Sequence, residues 1–243
     1  MIFDWHRWIA VGGKAWMESR AVFGACLFIT FVNSWLALDR AYEGVLALRV
    51  LHPSPFEVLD GTYRVWAILF AILGAGCMLW EGRQGGFAFS SSLPVRMAHF
   101  NLIRAAVGLA QVAFLASMPN LVAGSIHEFL RPAMPLPFLL SFTTAGIALG
   151  AATFGLAFLM SAFVKNLYMA IGLGWISSVV TSYFFAALPF TDSLAGMTLL
   201  RSLGSLPAKP MAWYPVGAYT TFAIVFIAAG AYIAESRQQV EVR

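Results

Sequence analysis

The chain has 243 residues, of which 60% are hydrophobic and only 11% charged, and its formal net charge is +4. Soluble domains carry about 25% charged residues. The composition therefore excludes an ordinary soluble domain and predicts one transmembrane domain over residues 1–243. No basic patch with interleaved aromatic residues occurs in the sequence. We therefore expect the lipid bilayer as a partner, and no nucleic acid.

Residues 2–20 form the first predicted element, an amphipathic helix. At helical spacing its apolar residues fall on one side, namely Ile2, Trp5, Ile9 and Trp16, and its charged residues fall on the other, namely Asp4, Arg7, Lys14 and Glu18. A helix of this kind with tryptophan anchors is typical of one that lies in the headgroup plane before the first crossing. A helix packed on a partner protein is the alternative.

Six apolar runs follow, each near the roughly 20 residues that a membrane crossing needs. They cover about residues 21–38, 63–80, 99–118, 140–163, 167–188 and 214–234. The fourth and fifth runs are separated only by Val164 to Asn166, so they should form a tight helical hairpin with Lys165 at its tip. The predicted fold class is an all-α integral membrane protein with six transmembrane helices, an N-terminal amphipathic interfacial helix and a cytoplasmic helix between spans two and three.

The orientation follows from the distribution of Lys and Arg between the two sides. The side with both termini and the segment between spans two and three carries nine Lys or Arg and five acidic residues, whereas the other side carries six of each. We therefore expect a multi-pass protein of the plasma (inner) membrane with both termini in the cytoplasm. The loop before the last span is moderately apolar and broken by Gly204 and Pro207, which favours short helices that dip into the outer leaflet.

Arg104 is the one charged residue that lies more than a turn inside any of the six predicted spans. Asn101 stands one turn before it and Gln111 two turns after it, so the three share one helix face. Two interpretations remain open. The arginine either extends to the cytoplasmic headgroups, or it pairs with a neighbouring helix or a partner protein.

Small and hydroxyl-bearing residues mark two further spans. Gly146 and Gly150 form a GxxxG pair in the fourth span, which predicts close helix packing within the chain, or alternatively a dimer contact. The fifth span has a line of hydroxyl residues that either lines a substrate path or bonds to nearby backbone, and it consists of Ser177, Ser178, Thr181 and Ser182. Asn33 and Ser34 are a weaker case of the same kind in the first span.

The sequence offers no arrangement for catalysis. The four histidines are scattered, no metalloprotease or serine-nucleophile motif occurs, and none of the three lysines is followed by Ser or Thr as a phosphate loop requires. Cys26 and Cys77 lie in apolar runs without ligand-spaced neighbours, so they should be small buried hydrophobic residues. We expect a protein that is not an enzyme and that takes any energy from a gradient or a partner.

Between spans two and three lies a polar, glycine-punctuated stretch from Glu81 to Gly108. Gly85-Gly86 and Pro94 limit a short segment that should form a helix lying flat on one membrane face. The stretch resembles a phrase shared by the membrane subunits of type-2 ABC (ATP-binding-cassette) exporters. That phrase has an acidic residue and Gly, then Leu-Pro-Val with basic residues, then a Lys and a Gly in the third span. Its counterparts here are Glu81, Gly82, Gly85, Leu93, Pro94, Val95, Arg96, Arg104 in place of the Lys, and Gly108.

The resemblance implies a permease that works with separate motor subunits. Two permease copies, identical or related, would pair with two ABC ATPase subunits that bind ATP and Mg, while this chain holds no cofactor and no metal. The residues implied in ATPase coupling are Glu81, Gly82, Arg83, Gly85, Leu93, Pro94, Val95, Arg96 and Arg104. The first and fifth spans commonly form the central seam of such exporters, so a possible substrate path would include Asn33, Ser177, Ser178, Thr181 and Ser182. The apolar spans favour an amphipathic or lipid-like cargo.

Three other functions compete with this one. A gradient-driven transporter is disfavoured because no acidic residue lies within any predicted span. A membrane scaffold without transport would tolerate scrambling of Glu81 to Arg96. An intramembrane enzyme lacks a nucleophile–base pair.

Overall fold

A computed structural model of the chain describes residues 5–48, 55–83, 97–125, 136–187 and 213–241, and within these ranges it is helical apart from one short turn. The helices in these ranges are α1 (Trp5–Leu48), α2 (Pro55–Arg83), α3 (Met97–Ser125), α4 (Leu136–Phe163), α5 (Leu167–Ala187) and α6 (Trp213–Glu241). The predicted all-α fold is confirmed for the described residues. The loop predicted to dip into the outer leaflet lies outside them.

Four of these helices contain segments long and apolar enough to cross a membrane, namely Trp8–Leu36, Met97–Pro119, Leu140–Phe163 and Trp213–Arg237. In the other two helices, the apolar segments found over the described residues are Val65–Leu79 and Leu167–Thr181. Length and composition thus support a helical membrane protein, with four membrane-length segments in the described part of the chain.

One continuous helix covers the first two predicted elements. It has 44 residues and runs from Trp5 to Leu48, and its membrane-length segment begins at Trp8. The described residues of the predicted interfacial helix over 2–20 thus continue without a break into the predicted span over 21–38, and the border of the membrane along this helix stays a prediction. No proline interrupts the helix, and Glu18 on its polar face packs against α3.

The fourth helix is the centre of the bundle, and it packs against α2, α3, α5 and α6. Its small residues permit this packing, because a methyl group built on Gly150 would lie 2.7 Å from the ring of Phe70, and one on Gly155 would lie 3.1 Å from the carbonyl oxygen of Ala223. The GxxxG pair Gly146 and Gly150 thus serves packing within the chain, as the first of the two interpretations predicted.

Large aromatic side chains fill the spaces opposite these small residues. Trp66, Phe70, Phe142, Phe154 and Phe158 are fully buried. The Trp66 ring lies 5.9 Å from the ring of Phe70 and 6.2 Å from that of Phe142, within the range of attractive aromatic pairs. In a bilayer, where no hydrophobic effect drives helices together, this interlocking of phenylalanine with glycine supplies the van der Waals contact that holds the bundle.

The helix ends gather at one side of the bundle. The Trp8 ring meets the His99 ring edge-on at 6.0 Å, so α1 and α3 run parallel. Arg237 donates from Nη1 to the carbonyl oxygens of Ala162 and Phe163 at 3.0 and 2.9 Å, so α4 and α6 also run parallel. The turn after α4 contains exposed Lys165, which confirms the predicted hairpin.

Candidate functional site

An ion pair between α1 and α3 is the main polar feature of the described interior. A guanidinium nitrogen of Arg104 bonds to Oε2 of Glu18, and the side chains are only 5% and 16% exposed. Arg104 lies seven residues after Met97, about 10 Å along the helix. The arginine therefore does not extend to the surface, and the alternative prediction of pairing with a neighbouring helix is confirmed.

Further groups fix the two charges in place. Lys14 Nζ lies 3.6 Å from the other carboxylate oxygen of Glu18, one helical turn away. The Phe100 ring receives the Arg104 guanidinium at 4.7 Å and the Lys14 ammonium at 5.7 Å from its centroid. Each charge thus has a partner of opposite sign or an aromatic face, which is the condition under which a low-dielectric interior tolerates it.

The polar contacts continue along the α1–α3 interface. Gln111 donates from Nε2 to the Ser19 hydroxyl at 2.7 Å, and Ser19 donates to the carbonyl of Ala15 at 3.0 Å. Asn101, Arg104 and Gln111 are all buried, so the shared face predicted for them is indeed directed into the bundle. This interface combines packing with directional bonds.

A cavity of about 30 Å³ borders the ion pair, between α1, α2 and α3. Glu18, Ser19, Cys77 and Arg104 contribute its polar lining. The Cys77 sulfur lies 3.7 Å from the Arg104 carbonyl oxygen, which adds α2 to the site. A space of this size with several polar neighbours has room for one or two water molecules.

The residues of the ABC-type phrase are placed only in part. Glu81, Gly82 and Arg83 are the last residues of α2, and their side chains lie outside the described part, as do Gly85, Leu93, Pro94, Val95 and Arg96 altogether. The structure therefore leaves the predicted cytoplasmic helix untested. The two described members are Arg104 and Gly108, and both contact other helices. Arg104 bonds to Glu18 of α1, and a methyl group on Gly108 would lie 2.5 Å from the Phe154 ring of α4.

The predicted substrate-path residues fall in two separate places. On α5, Thr181 donates to the Ser177 carbonyl at 2.7 Å, while the Ser178 hydroxyl lies 2.9 Å from that of Thr153 on α4. Asn33 lies on α1, which packs mainly on α2 and α3, and its buried amide nitrogen has no hydrogen-bond partner among the described residues. The side chain of Ser182 lies outside the described part.

Comparisons with known proteins supply no family. No protein-family model matches the chain, and neither the curated proteins nor the solved structures contain a match. The residues themselves must therefore carry any functional conclusion. Over the described residues, no group of three His, Cys, Asp or Glu side chains is placed to bind a metal ion.

Sequence reasoning missed Glu18 as the partner of Arg104, and it missed Thr153 as the partner of Ser178. A signal for the first existed, since the charged face of residues 2–20 and the polar face of the third span are complementary in charge. The register between two parallel helices cannot be read from residue spacing in the sequence. Here it brings residue 19 beside residue 111. Thr153 gave no signal, because a single threonine in an apolar run is ordinary.

Proposed function

We propose that this chain is the membrane subunit of an ATP-driven exporter of the type-2 ABC class, which moves an amphipathic or lipid-like molecule with a separate ATPase. The observation that supports this most is the position of Arg104. It belongs to the exporter-like phrase in the sequence, and it is also the residue that connects α3 to α1 through Glu18. The proposal includes a second permease copy and cytoplasmic termini in the plasma membrane.

The mechanism follows from these contacts. A push by the ATPase on the segment Glu81 to Arg96 would move the start of α3, since that helix begins at Met97. The Glu18–Arg104 pair would pass the motion to α1, and the close approach of Gly108 to Phe154 would pass it to α4. Helices on both sides of α3 would then reorient together.

Purification of the tagged chain from its native membrane in mild detergent tests this function. We expect a soluble ATPase with its own phosphate loop to copurify in about equal amount. A variant with the order of residues 84–96 scrambled is the control, and it should lose the ATPase while it still inserts into the membrane. Recovery of the same partners with the scrambled variant would favour the membrane scaffold instead.

A gradient-driven transporter is the second candidate, and Glu18 is the observation that favours it. No acidic residue lies within the spans predicted from the sequence, but the membrane-length segment Trp8–Leu36 includes Glu18. A proton taken up by this carboxylate would cancel its attraction to Arg104 and allow α1 and α3 to separate. Transport that stops with a protonophore but continues without ATP would support this candidate against the exporter.

A further inference from the structure

A crevice opens between α5 and α6. Both helices pack against α4, but over the residues that the structure describes they have little contact with each other. The space between them encloses a cavity of about 20 Å³ with α4 as its floor. We call this the α4–α5–α6 crevice, and its lining comprises Leu149, Ala152, Thr153, Leu156, Ser178, Thr181, Tyr219, Phe222 and Phe226.

The floor of the crevice is buried and its rim is partly exposed. Leu149, Ala152 and Thr153 are buried on α4, whereas Thr181 of α5 and Phe222 of α6 are half-buried. The opening is therefore the gap between α5 and α6, through which a hydrocarbon chain can approach. Exposed apolar side chains also occur on the faces of both helices turned away from the crevice, among them Ile176 and Val180 on α5 and Ile224 and Val225 on α6.

Three hydroxyl groups line the crevice beside that of Tyr219, and the protons of these three are already used. Thr153 donates to the Leu149 carbonyl at 3.1 Å, so the 2.9 Å contact between Thr153 and Ser178 uses the Ser178 proton. Thr181 donates to the Ser177 carbonyl at 2.7 Å. A hydroxyl has one proton and two lone pairs, so one lone pair of Thr153 and both lone pairs of Ser178 and Thr181 remain available. These three groups thus accept hydrogen bonds and suit a ligand that donates them.

The crevice also selects against charged ligands. None of its lining side chains carries a charge, and an ionised group moved from water to such a site without a counter-charge meets a large desolvation cost. A phosphate or carboxylate would in addition need donors, whereas Thr153, Ser178 and Thr181 offer acceptors. The chemistry that remains is an uncharged head with an O–H or N–H group.

We propose that the α4–α5–α6 crevice binds the hydroxyl or amide head of an uncharged, lipid-like amphiphile, with its hydrocarbon tail leaving between α5 and α6. The role of this ligand as transported cargo rests on the proposed function, but its binding does not. The site would lie within one chain and not on a seam between two copies. It uses Thr153, which sequence reasoning did not single out.

Photolabelling tests the proposal directly. The purified chain is placed in phosphatidylcholine nanodiscs, whose headgroup has no O–H or N–H donor, and is labelled with a diazirine monoacylglycerol. Mass spectrometry should locate the label on crevice residues of α4, α5 or α6, and unlabelled monooleoylglycerol should compete.

Loss of one neutral hydrogen bond weakens binding by about 2- to 10-fold. Thr153→Val and Ser178→Ala should therefore raise, by that factor, the concentration of monooleoylglycerol that halves the labelling.

Two controls keep the result decisive. Thr153→Ser retains the hydroxyl and should restore wild-type competition, and Thr221→Val changes an exposed threonine of α6 that bonds only its own helix, to Gly217 at 2.9 Å. Equal labelling by a matched diazirine phosphatidic acid, or unchanged competition in both Thr153→Val and Ser178→Ala, would overturn the proposal. Because no ATPase is present, these outcomes are independent of the copurification test.

Discussion

At the scale of single residues, the Glu18–Arg104 pair should be the most sensitive point of the described interior. Replacing Glu18 by Met leaves the buried Arg104 charge without its counter-charge, which typically costs about 3–5 kcal/mol of stability. Replacing Arg104 by Met should cost less, because Glu18 keeps Lys14 at 3.6 Å. The variant with both residues replaced should cost less than the sum of the two single changes. Thermal unfolding in detergent, analysed as a double-mutant cycle, measures this coupling. Arg20→Met is the control, because Arg20 is exposed on the same helix, and additive effects would contradict the ion pair.

Glycine positions offer a second comparison at this scale. A methyl group on Gly108 would press into the Phe154 ring, whereas one on Gly24 would meet nothing within 4 Å. We expect Gly108→Ala to lose about 1–3 kcal/mol through overpacking, and Gly24→Ala to be neutral or slightly stabilising because alanine favours helix. Phe154→Leu should recover part of the loss in the Gly108 variant. Equal stability of Gly108→Ala and Gly24→Ala, in the same unfolding assay, would contradict the close α3–α4 contact.

At the scale of elements, the continuity of α1 can be measured as a distance. Spin labels at the exposed positions Ala10 and Phe31 should lie about 32 Å apart along a straight helix, since each residue advances 1.5 Å. If the first part of the chain lay in the headgroup plane and turned by a right angle near residue 20, the distance between these two labels would be about 22 Å. Pulsed electron resonance distinguishes the two values. Labels at Ala21 and Phe31 should give about 15 Å in either case and serve as the control.

The sequence predicts the existence of the helices better than their partners. Long apolar runs leave few alternatives to helix in a bilayer, so the predicted spans 140–163 and 214–234 agree closely with α4 and α6. An interfacial helix and a helix that buries a polar face against another polar face have the same amphipathic pattern, so the sequence did not indicate that one helix continues from Trp5 to Leu48. Arg104 was identified from its rarity within a span. Its partner Glu18, and Thr153 as the partner of Ser178, became visible only with the three-dimensional register.

At the scale of the whole molecule, the proposed transport cycle requires that ATP hydrolysis and cargo movement stay linked through residues 81–96. We expect Glu81→Lys or Arg96→Glu to leave membrane insertion intact while ATPase activity continues without transport. The assay compares ATP hydrolysis and substrate movement in reconstituted vesicles. Glu235→Lys, the same charge reversal near the end of α6, should leave both activities unchanged. Wild-type transport in both test variants would rule out a coupling role for this segment.

Directional bonds hold the bundle together in two places. Glu18 with Arg104 and Ser19 with Gln111 join α1 to α3, while Thr153 with Ser178 and Arg237 with the end of α4 join α4 to α5 and α6. Between these places, Gly74 lies against the backbone of Phe154 and Gly108 lies against its ring. Close-packed contacts of this kind transmit a displacement by shape instead of by oriented bonds. In the proposed cycle, Phe154 would therefore be the point at which a displacement of α3 reaches α4.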